Sequence, residues 1–270
     1  MLSNSQVKHI NALKIKKYRD EYKEFIAEGN TLVTDLMRSA FGIAGIYALS
    51  SWITANVDDI RKKNIQVFEA DEGDMERITS LSSPGPVLAI VKIPVAVSAG
   101  SYQSDPAEKL SPAFFSDLTL MLENISDPGN FGTMLRIADW FGIKTIICSP
   151  NSVELYNPKV VQASMGSISR VNVIYTELSL LLSRLKGKVT VYGTFLEGAS
   201  VYTEPLGPGG IILIGSEAHG ISEEVKELVT KKIFIPSFGV SDCGKAESLN
   251  AAIAAAVVIS EFRRRQVAKV

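Results

Sequence analysis

The chain has 270 residues, 46% of them apolar and 21% charged, with a formal net charge of -1. Such a balance fits a soluble globular protein of roughly two domains at about 150 residues each, and it excludes disordered or collagen-like chains. With net charge near zero, any nucleic-acid site must be a local patch, since the global field is too weak to serve.

Residues 5 to 28 carry apolar side chains at mostly three- and four-residue steps, which predicts a helix. Between Lys8 and Lys23 there are six Lys or Arg against two acids, which is either a solvated helix face or a phosphate-contacting patch. FIAEGNTLVTDLMRSAFGIAGIYALSSWI reads as strand, turn, helix, strand, with Asn30 or Thr31 as the helix cap. IQVFEAD, a helix through Met75 to Leu81, and VLAIVKIPV continue the alternation, as in a small α/β domain. The stretch 99 to 112, rich in Ser, Pro and charge, is the expected linker between domains 1–98 and 113–270.

A second α/β series follows, with strands at LTLMLENI, KTIICSP, VNVIYTE, VTVYGTFL, IILIG and IFIP and helices between them. Strands this rich in Val, Ile and Leu are expected to be parallel and covered on both faces. His9 and His219 are the only imidazoles, and Cys148 and Cys243 lack CxxC spacing, so neither a zinc site nor a disulfide framework is expected. No 18-residue apolar span occurs and the start lacks a signal-peptide core, so the chain reads as cytoplasmic with no membrane partner.

Three turns that follow apolar strands carry the functional signal. NISDPGNFGTMLRIAD combines a Pro-Gly turn with Asn130 and, further along the helix, Arg136. GSEAHGIS places Glu217 between Gly215 and Gly220, and Ser222 is positioned to cap the next helix. GKAESLNAAIAAAVVISEF opens a small-residue helix with Ser248 or Asn250 as its cap, and the trio Arg263 to Arg265 near its end is either a solvated helix terminus or an RNA phosphate contact. Each turn alone is compatible with ordinary capping chemistry. Neither GxGxxG nor GxxxxGK[ST] is present, which argues against a nicotinamide-dependent oxidoreductase and against a nucleoside triphosphatase.

Taken together and in order, NISDPGNFGTMLRIA, LIGSEAHGIS and IPSFGVSDCGKAESLNAAIAAA resemble the motifs of the SpoU (TrmH-type) branch of the SPOUT RNA 2'-O-ribose methyltransferases. VYGTFLEG and ASMGS also look like family segments, and residues 8 to 37 are similar to the substrate-binding domain of many ribosomal RNA members. The resemblance implies an α/β fold: a C-terminal trefoil-knotted domain with a mostly parallel sheet, preceded by a small L30e-like substrate-binding domain. It further implies S-adenosylmethionine as cofactor, a homodimer, no metal, and methyl transfer to a ribose 2'-hydroxyl in RNA, with ribosomal RNA favoured over transfer RNA.

By motif match, Asn130, Arg136, Glu217, Ser248 and Asn250 would be catalytic, and Thr194, Gly215, Ile235 and Leu249 would bind the cofactor. Two departures stand out: the segment 237–246 is longer than the family's usual link, and AAIA replaces a pattern that commonly carries a hydroxyl. These leave a second reading open, an RNA-binding protein without activity on the same scaffold. Family proposals hand the ribose proton to the arginine. A guanidinium holds its own proton with a pKa above about 12, so the alternative is that Arg136 stabilises the developing alkoxide electrostatically.

Overall fold

A computed structural model describes residues 1–94, 110–239 and 247–267, grouped into two compact units. One is the described part of Met1–Ser101 together with Glu154–Arg170; the other is the described part of Tyr102–Val153 and Val171–Val270. Most of the expected linker, and residues 240–246 of the long segment with Cys243, lie outside the described residues.

The first unit opens with α1 (Asn4–Ala12), α2 (Lys16–Tyr22) and β1 (Glu24–Glu28), where periodicity predicts a single helix over 5 to 28. The helix cannot run through: Lys23 turns the backbone left-handed at φ 55°. The next residues, Phe25, Ile26 and Ala27, are all buried, as in a strand covered on both faces. Ser3 and Gln6 form a reciprocal capping box at the start of α1.

The chain continues through α3 (Asn30–Arg38), β2 (Ile43–Ala48), α4 (Ser50–Ala55), α5 (Val57–Lys63), β3 (Val67–Glu69), α6 (Glu72–Ile78) and β4 (Val87–Lys92). The α3 cap is Gly29 at φ 95°, since the expected Asn30 spends its Oδ1 on Trp52 Nε1 at 2.7 Å. The strands lie in the order β1-β4-β2-β3, with β4 antiparallel to both neighbours and β2 parallel to β3. Ile10, Leu13, Ile26, Met75, Ile78 and Leu88 are among the buried residues of its core.

Glu154–Arg170 belongs to this unit through side-chain contacts of its own. Glu154 pairs with Arg19, which is 2% exposed and also donates to the Leu13 carbonyl at 2.8 Å. Tyr156 packs its ring 4.7 Å from that of Phe25, and Arg170 reaches Asp35 at 3.4 Å. Gly166 lies so close to Asp35 that a Cβ would stand 2.3 Å from its carboxylate. Within the basic run, Arg19 is therefore committed to the fold, and Lys14 donates to the Thr79 carbonyl at 2.7 Å. Lys8, Lys16, Lys17 and Lys23 remain exposed.

The second unit starts with a 3-10 turn over Pro112–Ser116 and β5 (Leu118–Leu122), followed by α7 (Pro128–Trp140), β6 (Thr145–Cys148), α8 (Pro158–Ser164, packed in the first unit) and β7 (Asn172–Tyr175). Then come α9 (Leu178–Leu185), β8 (Val191–Ser200), β9 (Gly210–Ile214), α10 (Glu223–Lys226), β10 (Lys231–Phe234) and α11 (Ala251–Val267). The six strands lie in the order β10-β8-β9-β5-β6-β7 and every pairing is parallel. Every residue of β5 and β9 is buried, as expected for central strands covered on both faces. Cys148 is fully buried at the end of β6, and burial pushes its thiol well above the usual range, which suits a structural role.

The arginine trio of α11 fits neither sequence-based reading fully, because Arg263 and Arg265 are tied to neighbouring elements. Arg263 Nε donates to the Phe141 carbonyl at 2.9 Å, and Arg265 Nη2 donates to the carbonyls of Val201 (2.9 Å) and Tyr202 (2.7 Å). Arg264 and Arg265 both clamp the buried Glu261, at 2.7 Å each. The Arg264 hydrogen bond leads in holding that carboxyl down to about 2, with Arg265 adding to it. Because the folded value lies below the ordinary 4.5, the stabilisation is complete above about pH 4.5 and is lost as pH falls toward 2. Glu261→Gln is expected to lower the melting temperature at neutral pH, with the gap to the parent shrinking between pH 4.5 and 2 in a calorimetric series.

Candidate active site at the carboxyl ends of the parallel strands

Parallel sheets collect ligands beyond the carboxyl ends of their strands, and here β5 has β6 on one side and β9 on the other. The loop after β5 begins with Asn124 in the left-handed region at φ 54°, a conformation that Asn tolerates better than most residues. Asp127 caps α7 by accepting from the Asn130 amide at 2.7 Å, and Pro128 occupies the first helical turn, where its missing N–H is no loss. This cap fixes the direction in which Asn130 leaves the helix.

The loop after β9 is a tight hairpin. Ser216 and Gly220 exchange backbone hydrogen bonds of 3.1 and 2.9 Å, and Gly215 packs against the Gly220 backbone. Its far end is held by Glu123, a buried carboxylate at the end of β5 that accepts from the Ser222 amide (3.0 Å) and hydroxyl (2.6 Å). Ser222 in turn caps α10, as its position in the sequence suggests. Glu123 escaped the reading of the sequence. Its signal is an acid closing an otherwise apolar strand, which requires a buried hydrogen-bond partner.

Asn130, Glu217 and Asn250 meet in one hydrogen-bonded cluster, although they are far apart in sequence. Asn250 Oδ1 accepts from the Ala252 and Ile253 amides (3.0 and 3.3 Å), capping α11 and fixing which way its amide faces. Asn250 Nδ2 then donates to Asn130 Oδ1 and to Glu217 Oε1, each at 2.9 Å, and Asn130 Nδ2 donates to Glu217 Oε1 at 2.8 Å. The Ala251 amide adds a further donor to Glu217 Oε1 at 3.0 Å. One carboxylate oxygen is thus saturated by fixed donors at a helix N-terminus, where negative charge is favoured. Among the described residues Oε2 has no hydrogen-bond partner, so it can accept from a substrate hydroxyl.

The other expected site residues lie elsewhere. Arg136 is exposed on α7 and makes no hydrogen bond or ion pair with a described residue. It is six residues past Asn130, about 9 Å along the helix and a third of a turn around it. Within one chain it takes no part in the cluster's hydrogen bonds. Ser248 is exposed, with no hydrogen bond to a described residue.

Thr194 within β8, Gly215 after β9 and Ile235 after β10 belong to three neighbouring strands of the sheet and the turns that leave them, and the Thr194 hydroxyl donates to the Leu213 carbonyl at 3.1 Å. Ile235 is half-buried and Leu249 is 47% exposed. Strand-end backbone edges beside apolar side chains suit a flat heteroaromatic ring with a hydrogen-bonding rim, so this donor set fits an adenosyl group. Among the described residues no group of His, Cys, Asp and Glu is arranged to hold a metal ion.

Comparison with known proteins agrees with this arrangement. The profile of the SpoU rRNA Methylase family matches residues 117–260, and that of the MRM3-like substrate binding domain matches residues 4–89. The chain is 27% identical over 262 residues to the 23S rRNA (guanosine(2553)-2'-O)-methyltransferase RlmP of Bacillus subtilis, covering 96% of each protein. A TrmH-family structure from Porphyromonas gingivalis superposes with a TM-score of 0.80 at 34% identity, covering 98% of this chain and 99% of that one. The AdoMet-bound rRNA methyltransferase from Sinorhizobium meliloti superposes with a TM-score of 0.80 at 26% identity, over 98% of this chain and 96% of that one.

Proposed function

The chain belongs to the SpoU rRNA methylase family, and from that premise we propose that it methylates a ribose 2'-hydroxyl in ribosomal RNA with S-adenosylmethionine as donor. The observation that carries the proposal is the closed cluster of Asn130, Glu217 and Asn250, with one carboxylate oxygen left open. The retained cluster also argues against an inactive RNA-binding scaffold.

When bound, the cofactor supplies a methyl group already activated by its sulfonium, so the work of the protein is alignment. Thr194, Gly215, Ile235 and Leu249 would hold it, and Glu217 would orient the acceptor ribose by accepting a hydrogen bond from its hydroxyl at Oε2. Asn130 and Asn250 keep that carboxylate from rotating. Ser248 stands beside Leu249 at the mouth of α11 and would complete the catalytic set.

Arg136 belongs to the same reaction in a homodimer. It shares a face of α7 with Trp140, four residues on and 86% exposed, and Ile253 of the contacting α11 is 52% exposed. A second copy covering this apolar face would carry its own Arg136 toward the neighbouring cluster. The trefoil knot of the catalytic domain, 113–270, is proposed on the same family grounds, and so is a cytoplasmic location. Among the described residues no helix is long and apolar enough to cross a membrane.

Residues 1–98 would capture RNA. The match to a substrate-binding domain and the four exposed lysines beside the half-exposed Tyr22 support this role. The test is transfer of labelled methyl from S-adenosylmethionine to protein-free ribosomal RNA and, in parallel, to transfer RNA, followed by mapping of the blocked 2'-hydroxyl. Label is expected in ribosomal RNA at a single nucleotide. Label in transfer RNA alone would reassign the substrate, and none in either would reject the function.

A further inference from the structure

Against the cluster lies a cavity of about 440 Å³, lined by Asn124, Ser126, Asn130, Asn151, Glu217 and His219 among others. None of Thr194, Gly215, Ile235 or Leu249 lines it. Its volume is that of a small-molecule site.

Three of these side chains have hydrogen-bonding capacity that the fold does not use. The Asn151 amide and the His219 ring make no hydrogen bond to a described residue, and Asn124 uses its Oδ1 on the Ser149 hydroxyl at 3.2 Å while Nδ2 has no described partner. The loop that presents Asn151 is nevertheless firmly built. Ser149 Oγ accepts from the Asn124 amide at 2.8 Å and lies 3.1 Å from Ser152 Oγ, while the Ser149 amide donates to Leu122. The ends of β5 and β6 are thereby stitched together, and Asn124 and Asn151 both line the cavity.

We propose that this cavity receives the target base itself, and that Asn151 together with Asn124 reads its edge while His219 covers its face; this rests on the methyltransferase reading above. A carboxamide offers a donor and an acceptor side by side, the pattern that matches a base edge, and an imidazole gives an unstacked base a surface to lie on. A phosphate is the wrong occupant. Among the described residues the lining includes the carboxylates of Asp127 and Glu217 and no Lys or Arg. With the ribose over Glu217, the base of the same nucleotide extends into this space. The loop after β6, outside the motifs that mark the family in this sequence, would then set which nucleotide is modified.

The experiment compares Asn151→Ala, Asn151→Asp and His219→Ala with the parent, using protein-free ribosomal RNA from cells lacking the protein. Asn151→Ala is expected to lower kcat/KM for RNA about tenfold, with the Kd for S-adenosylmethionine by calorimetry and the melting temperature unchanged. His219→Ala should weaken RNA kinetics in the same direction, and 2'-O-methyl mapping with Asn151→Asp should show nucleotides of another base identity. RNA kinetics within twofold of an active parent for both alanine variants would overturn the assignment, as would a parallel loss of cofactor affinity. A parent inactive on RNA would reject the function and this inference with it.

Discussion

Arg136→Ala is expected to lose methyl transfer by at least about a hundredfold, the scale of losing a charge aimed at a developing oxyanion, while still binding S-adenosylmethionine with parental affinity in calorimetry. The side chain is exposed and makes no hydrogen bond or ion pair with a described residue, so removing it should leave the melting temperature within a degree or two. Arg136→Lys separates the two chemical roles. If the guanidinium stabilises the alkoxide or clamps a phosphate, a lysine keeps part of the activity as a point charge; a strict need for the planar fork leaves it as inactive as alanine.

Mixing Arg136→Ala with Glu217→Ala protein tests whether the arginine serves the neighbouring copy. In a symmetric dimer after subunit exchange, roughly a quarter of the parental activity should return, because each heterodimer holds one intact site. No recovery, or a monomer in light scattering, would place Arg136 outside the reaction as proposed.

Gly215→Ala has the second large expected effect. A Cβ there would stand 2.3 Å from the Gly220 carbonyl carbon, 2.5 Å from its oxygen and 2.5 Å from the Ile221 nitrogen, all backbone atoms that cannot rotate away. The hairpin must open, and its opening carries Glu217 out of reach of Asn130 and Asn250. Turnover and cofactor affinity should fall together, with a stability loss of about 1–3 kcal/mol, as for other overpacked sites.

Gly220→Ala is the matched control. At φ 66° nothing lies within 4 Å of its Cβ position, so that variant meets only the left-handed torsional penalty of about 1–2 kcal/mol. Equal effects of the two substitutions on cofactor affinity would show that steric closure of the hairpin is not what positions Glu217.

Glu123 explains why the hairpin tolerates so little. Its carboxylate, 4% exposed, is held by the Ser222 amide and hydroxyl, so the hairpin is pinned at both ends: by Gly215 against Gly220, and by Ser222 on β5. Asn130 leaves the same end of β5 through a loop that Ser149 ties to β6. The cluster is thus assembled from loops anchored on three adjacent strands, a rigid base for groups that must hold their alignment.

Much of this was legible in the chain. Runs such as LTLML and GIILI announce buried parallel strands, because only a strand covered on both faces is apolar at nearly every position. Residue type and place mark Ser222 as a cap and narrow the α11 cap to Ser248 or Asn250, of which Asn250 takes the role, and the ordered turns name Asn130, Glu217 and Asn250 without showing that they touch. Periodicity extends the N-terminal helix too far because a three- and four-residue apolar spacing passes smoothly into the consecutive run of β1, and nothing local marks Lys23 as left-handed.

The sequence by itself determined the local facts: where the apolar periods change, which residues cap and turn, and which polar groups stand at strand ends. Those depend on neighbours within a few residues, as do the torsional and capping energies that enforce them. Only the tertiary structure decided that Asn130 meets Glu217 across 87 residues and Asn250 across 120, and that the arginine trio clamps its own fold. It alone placed Glu154–Arg170 against Arg19, Phe25 and Asp35. The meetings in the second unit follow from the strand order β10-β8-β9-β5-β6-β7, and parallel neighbours are joined by long crossovers whose sequence carries no record of which strand they will reach.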